Sequence, residues 1–173
     1  MEKYCLFSRF RESAKAHPNA IACQVKEGDI YQTFTYTRLY ELSLKFAHLL
    51  KQEGLAKGER AAILLENSPF WPAIYFGIMG MGATAVPIDP KLTPQEVNNI
   101  LRDSGAKILF SSSELYEPLE PRLKNILSFK KTILYPFKEI DKIRPEEIPV
   151  ENNPQDIASI LYTSGTTASP KGV

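Results

Sequence analysis

The stretch Ala61-Ala62-Ile63-Leu64-Leu65-Glu66-Asn67-Ser68-Pro69 opens the pattern that points to the fold. Its first five residues form an apolar run without alternation, with the length of a strand buried on both faces. Asn67, Ser68 and Pro69 then start a helix, since their side chains suit a helix N-terminus and its first turn. The run Ala83-Thr84-Ala85-Val86 returns to strand character. A second helix opens at Thr93-Pro94 with Glu96 at capping-box spacing, and Lys107-Ile108-Leu109-Phe110 reads as the next strand. This rhythm predicts an α/β fold of repeated βαβ units, a mostly parallel sheet with flanking helices whose ligands bind beyond the carboxyl ends of the strands.

Working outward, apolar spacing from about Leu6 to Ala16 predicts a first helix, stopped by Pro18 and Asn19. Ile21–Val25 and Ile30–Thr35 flank the turn Glu27-Gly28-Asp29 and read as an N-terminal β-hairpin. Thr35 can cap the helix that follows. In that helix, Leu39, Leu42, Phe46, Leu49 and Leu50 recur at helical spacing up to about Gln52, and Gly54 closes it. From Pro136 to Asp156 prolines interrupt a charged stretch with little apolar content, which reads as a surface connection within one domain. Ile157-Ala158-Ser159-Ile160-Leu161-Tyr162 then reads as a short buried strand.

The 173 residues are 43% hydrophobic and 24% charged, with a formal net charge of +1. That is an ordinary globular composition with no basic excess to serve a nucleic-acid partner. Ser68–Ile88 contains no charged residue and approaches spanning length, but Pro69, Pro72, Gly77, Gly80, Gly82 and Pro87 divide it, so no transmembrane segment is expected. Cys5 and Cys23 have neither disulfide-framework nor zinc-site spacing, and no metal-ligand cluster is expected. Met1-Glu2-Lys3-Tyr4 begins no secretory pattern, and the expected location is cytoplasmic. His17 lies at a helix end and His48 faces outward, neither beside a nucleophile. Phe70, Trp71, Tyr75 and Phe76 have the helical spacing of core, though such rings could also stack bases.

Chemistry concentrates at the end: Tyr162-Thr163-Ser164-Gly165-Thr166-Thr167-Ala168-Ser169-Pro170-Lys171-Gly172-Val173. Six of these twelve residues carry a hydroxyl, two are glycine and one is lysine. Hydroxyls and glycine-exposed N–H groups donate hydrogen bonds to phosphate oxygens, and an ammonium supplies a mobile charge. Such residues also make solvated loops, but a solvated loop needs no fixed order of threonine, proline and lysine. The segment is not a Walker A loop. Pro170 stands where that motif has glycine, and Gly172, which follows Lys171, lacks the magnesium-binding hydroxyl.

The segment instead resembles the phosphate loop of the adenylate-forming enzymes, approximately Y-T-S-G-T-T-G-x-P-K-G-V, with Ala168 in place of a glycine. Gly80-Met81-Gly82-Ala83-Thr84-Ala85-Val86-Pro87-Ile88-Asp89-Pro90 is similar to the family's G-A-x-x-V-P-I-D-P segment, and Asp103-Ser104-Gly105-Ala106-Lys107 to its D-S-G-A-K. These two stretches look like scaffold: small residues allow close packing and Asp89 has no sequence-near acid/base partner.

The resemblance implies that residues 1–173 form one α/β unit, an incomplete N-terminal portion of an AMP-binding domain. The implied parent is an ATP-dependent, AMP-forming acid–thiol ligase most like an acyl-CoA synthetase, a reading that Leu92-Thr93-Pro94-Gln95-Glu96 favours. It implies phosphate contacts from Thr163, Ser164, Gly165, Thr166, Thr167 and Lys171, magnesium carried by the phosphates, and CoA or a phosphopantetheine thiol as acceptor. The family's catalytic lysine, adenine pocket and magnesium ligand fall after this loop. No catalytic residue is therefore expected here, and the chain alone should be inactive. Only two residues follow Lys171, so no following strand is expected to hold the loop's end. An amino-acid adenylation domain, a fatty acyl-AMP ligase, a non-catalytic nucleotide-binding module and a small fold binding another anion stay open as alternatives.

Overall fold

A computed structural model of the chain describes residues 5–147, 153–163 and 171–173. Helix α1 (Leu6–Ala16) leads into an antiparallel hairpin of β1 (Ile21–Glu27) and β2 (Ile30–Thr35), whose turn needs the positive φ of Gly28. Thr35 caps α2 (Tyr36–Gln52), its hydroxyl accepting from the Arg38 N–H at 3.3 Å.

Next come β3 (Arg60–Leu64), α3 (Phe70–Gly80), β4 (Thr84–Pro87), α4 (Pro94–Ser104) and β5 (Ile108–Ser111). Two four-residue helices, α5 (Ser113–Tyr116) and α6 (Glu120–Leu123), precede β6 (Lys131–Leu134). The four strands form one parallel sheet in the order β4-β3-β5-β6, with β3 central. Parallel strands need covered crossovers, and the helices between them provide these on both faces.

Alternation along each strand divides the core in two. Ala61 and Ile63 of β3, with Ile108 and Phe110 of β5, face α1, α2 and α3. Ala62, Leu64, Val86 and Leu109 face α4 and the α5–α6 turn through Val97, Ile100, Leu101, Leu119 and Leu123. Helix α3 lies hard against α2. A Cβ at Gly77 would stand 2.8 Å from both the Phe46 Cβ and the Ser43 carbonyl oxygen, so only glycine permits this approach.

The capping box on α4 is complete. The Glu96 carboxylate accepts from the Thr93 N–H at 2.8 Å and the Thr93 hydroxyl accepts from the Glu96 N–H at 3.3 Å. Gly105 ends this helix in the left-handed conformation, φ 60°.

Two expectations change on contact with the structure. His48 does not face freely outward; it is half-buried, with Nε2 2.8 Å from the Glu146 carbonyl. The chain after β6 is also less superficial than its charges imply, since Phe137 and Ile140 are buried and the Tyr40 hydroxyl donates to Glu147 at 2.6 Å. Phe70, Trp71, Tyr75 and Phe76 pack on the core, as their spacing predicts. No helix among the described residues is long and apolar enough to cross a membrane.

Candidate functional site

The expected buried strand at 157–162 is only partly formed. The Ala85 N–H donates to the Ala158 carbonyl at 3.0 Å and the Ile160 N–H to the Ala85 carbonyl at 2.9 Å, which lays 158–160 parallel to the outer side of β4. The Thr84 hydroxyl adds a bond to the Ile157 carbonyl at 2.9 Å. Yet Ile157 is 65% and Leu161 53% exposed. Among the described residues β4 pairs with 158–160 and Val173 with Leu161, and neither covers the side chains of Ile157 and Leu161. Ile160 and Tyr162 turn the other way, onto the core beneath α4.

Regular pairing resumes at β7 (Tyr162–Thr163), which is antiparallel to β8 (Lys171–Gly172). Tyr162 stands opposite Gly172 and Thr163 opposite Lys171. Leu161 and Val173 extend the ladder by exchanging two N–H···O bonds, both 2.9 Å. The expectation that no strand holds the chain at Lys171 is corrected: Lys171 and Gly172 are themselves a strand, paired on the edge that β7 supplies.

Of the predicted phosphate-binding residues, Thr163 and Lys171 are thus brought face to face across a two-stranded pair, Thr163 exposed. Ser164, Gly165, Thr166 and Thr167 lie outside the described residues, as does the side chain of Lys171. The pairing sets residues 163 and 171 opposite each other on neighbouring strands.

Three residues from elsewhere gather at the base of this pair. The Tyr162 hydroxyl donates to the Asp103 carboxylate at 2.6 Å, in the last turn of α4. Burial and the Asp103 carboxylate together hold the Tyr162 phenol well above the ordinary tyrosine range, so it stays protonated and a donor. Arg60, the first residue of β3, donates from Nε to the Ser104 carbonyl at 2.7 Å. A Cβ at Gly105 would lie 2.4 Å from the same guanidinium, so glycine makes room for it.

This anchor stands on the amino-terminal side of β3 and β5, not beyond their carboxyl ends. Sequence reasoning missed it, because Asp103 and Tyr162 are 59 residues apart. One signal was available: a carboxylate in the last turn of a helix opposes the helix dipole and needs a compensating partner.

Further along, Lys57 pairs with Asp156 at 3.0 Å. The Asn153 N–H and this lysine hold the Asp156 carboxyl below the usual carboxylate range. Asp89 accepts from the Lys91 N–H at 2.9 Å and shapes a turn, in keeping with a scaffold role. Among the described residues no three His, Cys, Asp or Glu side chains group to hold a metal ion.

A parallel sheet covered by helices on both faces, followed by the short β7–β8 pair, defines an α/β protein. The AMP-binding enzyme family matches residues 10–173, and the chain belongs to that family. It is 35% identical to the fatty acid–acyl-carrier-protein ligase ScoC of Streptomyces coeruleorubidus, a match covering 82% of this chain and 28% of that protein. It is 32% identical to tyrocidine synthase 3 of Brevibacillus parabrevis over 97% of this chain and 2% of the other. The structure of the anthranilate CoA ligase AuaEII in complex with anthranoyl-AMP superposes with a TM-score of 0.88 at 25% identity, covering all of this chain and 35% of that one. The chain thus spans less than a third of the length of the curated relatives it matches here.

Proposed function

We propose that the protein carrying this chain is an ATP-dependent ligase that activates a carboxylic acid as its acyl-adenylate and passes the acyl group to a thiol. The carboxylate oxygen attacks the α-phosphorus of ATP, the bond to the bridging oxygen of the β-phosphate breaks, and pyrophosphate leaves. A thiol sulfur then bonds to the acyl carbon, loses its proton, and displaces AMP. The observation that carries this reading is the pairing of β7 with β8 at the two ends of the 162–173 motif, in a chain of the AMP-binding enzyme family.

In this reading Thr163, Ser164, Thr166 and Thr167 donate to β- and γ-phosphate oxygens. Gly165 lets the backbone approach, and Lys171 offsets the charge that builds on the leaving pyrophosphate. Magnesium travels with the phosphates. CoA is the acceptor favoured by the Leu92–Glu96 stretch and by the likeness to a CoA ligase. A carrier-bound phosphopantetheine thiol is the second reading, favoured by the likeness to a fatty acid–acyl-carrier-protein ligase. The 173-residue chain alone is inactive in this account, and the compartment is cytoplasmic.

Incubation of the full-length protein with ATP, hydroxylamine and a panel of fatty, aromatic and amino acids tests the reading. An acid-dependent hydroxamate with stoichiometric AMP supports it. ADP as the product, or AMP formation with no acid dependence, contradicts it, and no turnover of ATP with any acid of the panel contradicts it in favour of a non-catalytic nucleotide-binding module. CoA and a phosphopantetheinylated carrier protein, offered in turn, separate the two acceptors.

A further inference from the structure

We propose that Asp103, acting through its hydrogen bond to Tyr162, is a positioning residue for the phosphate-binding hairpin, holding β7 and β8 against the end of α4. The inference rests on the functional reading above and adds a residue outside the motif to the machinery of that site.

A two-stranded pair of this length is not stable alone in water and needs packing to fix it. Tyr162 supplies that packing. Its ring lies against Gly172 on the facing strand, where a Cβ would come within 3.1 Å of the ring's Cζ and 2.9 Å of Ile160 Cγ2. The ring therefore touches both strands, and whatever fixes the ring fixes both Thr163 and the backbone of Lys171. Asp103 holds its hydroxyl, at 2.6 Å and with a charged acceptor, the stronger class of hydrogen bond.

Asp103 is itself held on firm ground. The last turn of α4 is tied to the first residue of the central strand by the bond from Arg60 to the Ser104 carbonyl, and Gly105 leaves space for that guanidinium. A continuous chain of contacts thus runs from β3 through Arg60, Ser104, Asp103 and Tyr162 to the two ends of the loop. Positioning of this kind matters to catalysis because donors displaced by about 1 Å lose much of their hold on a transition state.

The test uses the full-length protein, with steady-state pyrophosphate-exchange kinetics and thermal unfolding of wild type, Tyr162→Phe, Asp103→Ala, Asp103→Asn and the double variant Tyr162→Phe/Asp103→Ala. Tyr162→Phe and Asp103→Ala each lower kcat/KM for ATP about tenfold while the KM for the acid stays constant. The unfolding midpoint moves by no more than about 3 °C. Asp103→Asn, whose amide oxygen still accepts from Tyr162, lies nearer wild type than Asp103→Ala, and the double variant is no worse than the singles.

Unchanged kcat/KM for ATP in both single variants overturns the proposal. So does an equal loss for ATP and acid that tracks a lowered midpoint, with no rescue by Asp103→Asn. A wild-type protein with no exchange at all overturns the functional reading first and this inference with it.

Discussion

Asp103 sits where helix electrostatics disfavours a carboxylate, and its compensation comes from a tyrosine far along the chain. Glu59 illustrates the opposite case, a carboxylate in a favourable place. Lys107 donates to it, the Ala56 N–H adds a bond at 3.0 Å, and together they hold the Glu59 carboxyl below its ordinary range. A lowered folded-state pKa means that this stabilisation is present above the unfolded value and disappears as pH falls through the folded one. Wild type should therefore be more stable than Glu59→Gln at neutral pH. The gap should close as the pH drops below about 4, as read by denaturant melts across that window. A gap that persists at low pH contradicts the assignment. At this scale the sequence showed the residue types and hid their partners: Glu59 and Lys107 are 48 positions apart, and no periodicity connects them.

Elements with strong local signals were legible. The capping box at Thr93 and Glu96, the Thr35 cap and the fully apolar run of β3 each form as their residues predict, because short-range geometry determines them. Thr93→Ala should cost about 1 kcal/mol in a thermal or denaturant melt, the usual worth of an N-cap. Gly77→Ala should cost about 1–3 kcal/mol, since the added methyl meets the backbone of α2 and the base of Phe46, neither of which can rotate away. A neutral result would show that α3 can slide from α2. The four-residue elements α5, α6 and β6 were not read from the sequence, being too short for a period to show. The segment at 157–162 was read as a short buried strand because its apolar content is plain, whereas the number of neighbours beside it is not a local property.

At the scale of the molecule, the alternation of strand and helix was enough to give a parallel sheet covered on both faces, and the order β4-β3-β5-β6 completes it. The location of the loop's anchor was not legible, since it depends on where α4 ends relative to an edge that forms last in sequence. The chemistry rested on one motif whose hydroxyl, glycine and lysine order is unusual enough to carry a function, and the family match over residues 10–173 agrees with it. The central claim is that this loop handles the pyrophosphate of ATP during activation of an acid. Its most direct measurement is acid-dependent exchange of labelled pyrophosphate into ATP by the full-length protein, wild type beside Lys171→Ala. The account predicts exchange in the wild type and a loss of about a hundredfold or more in the variant, with its unfolding midpoint unchanged. Exchange at the wild-type rate in Lys171→Ala would contradict it.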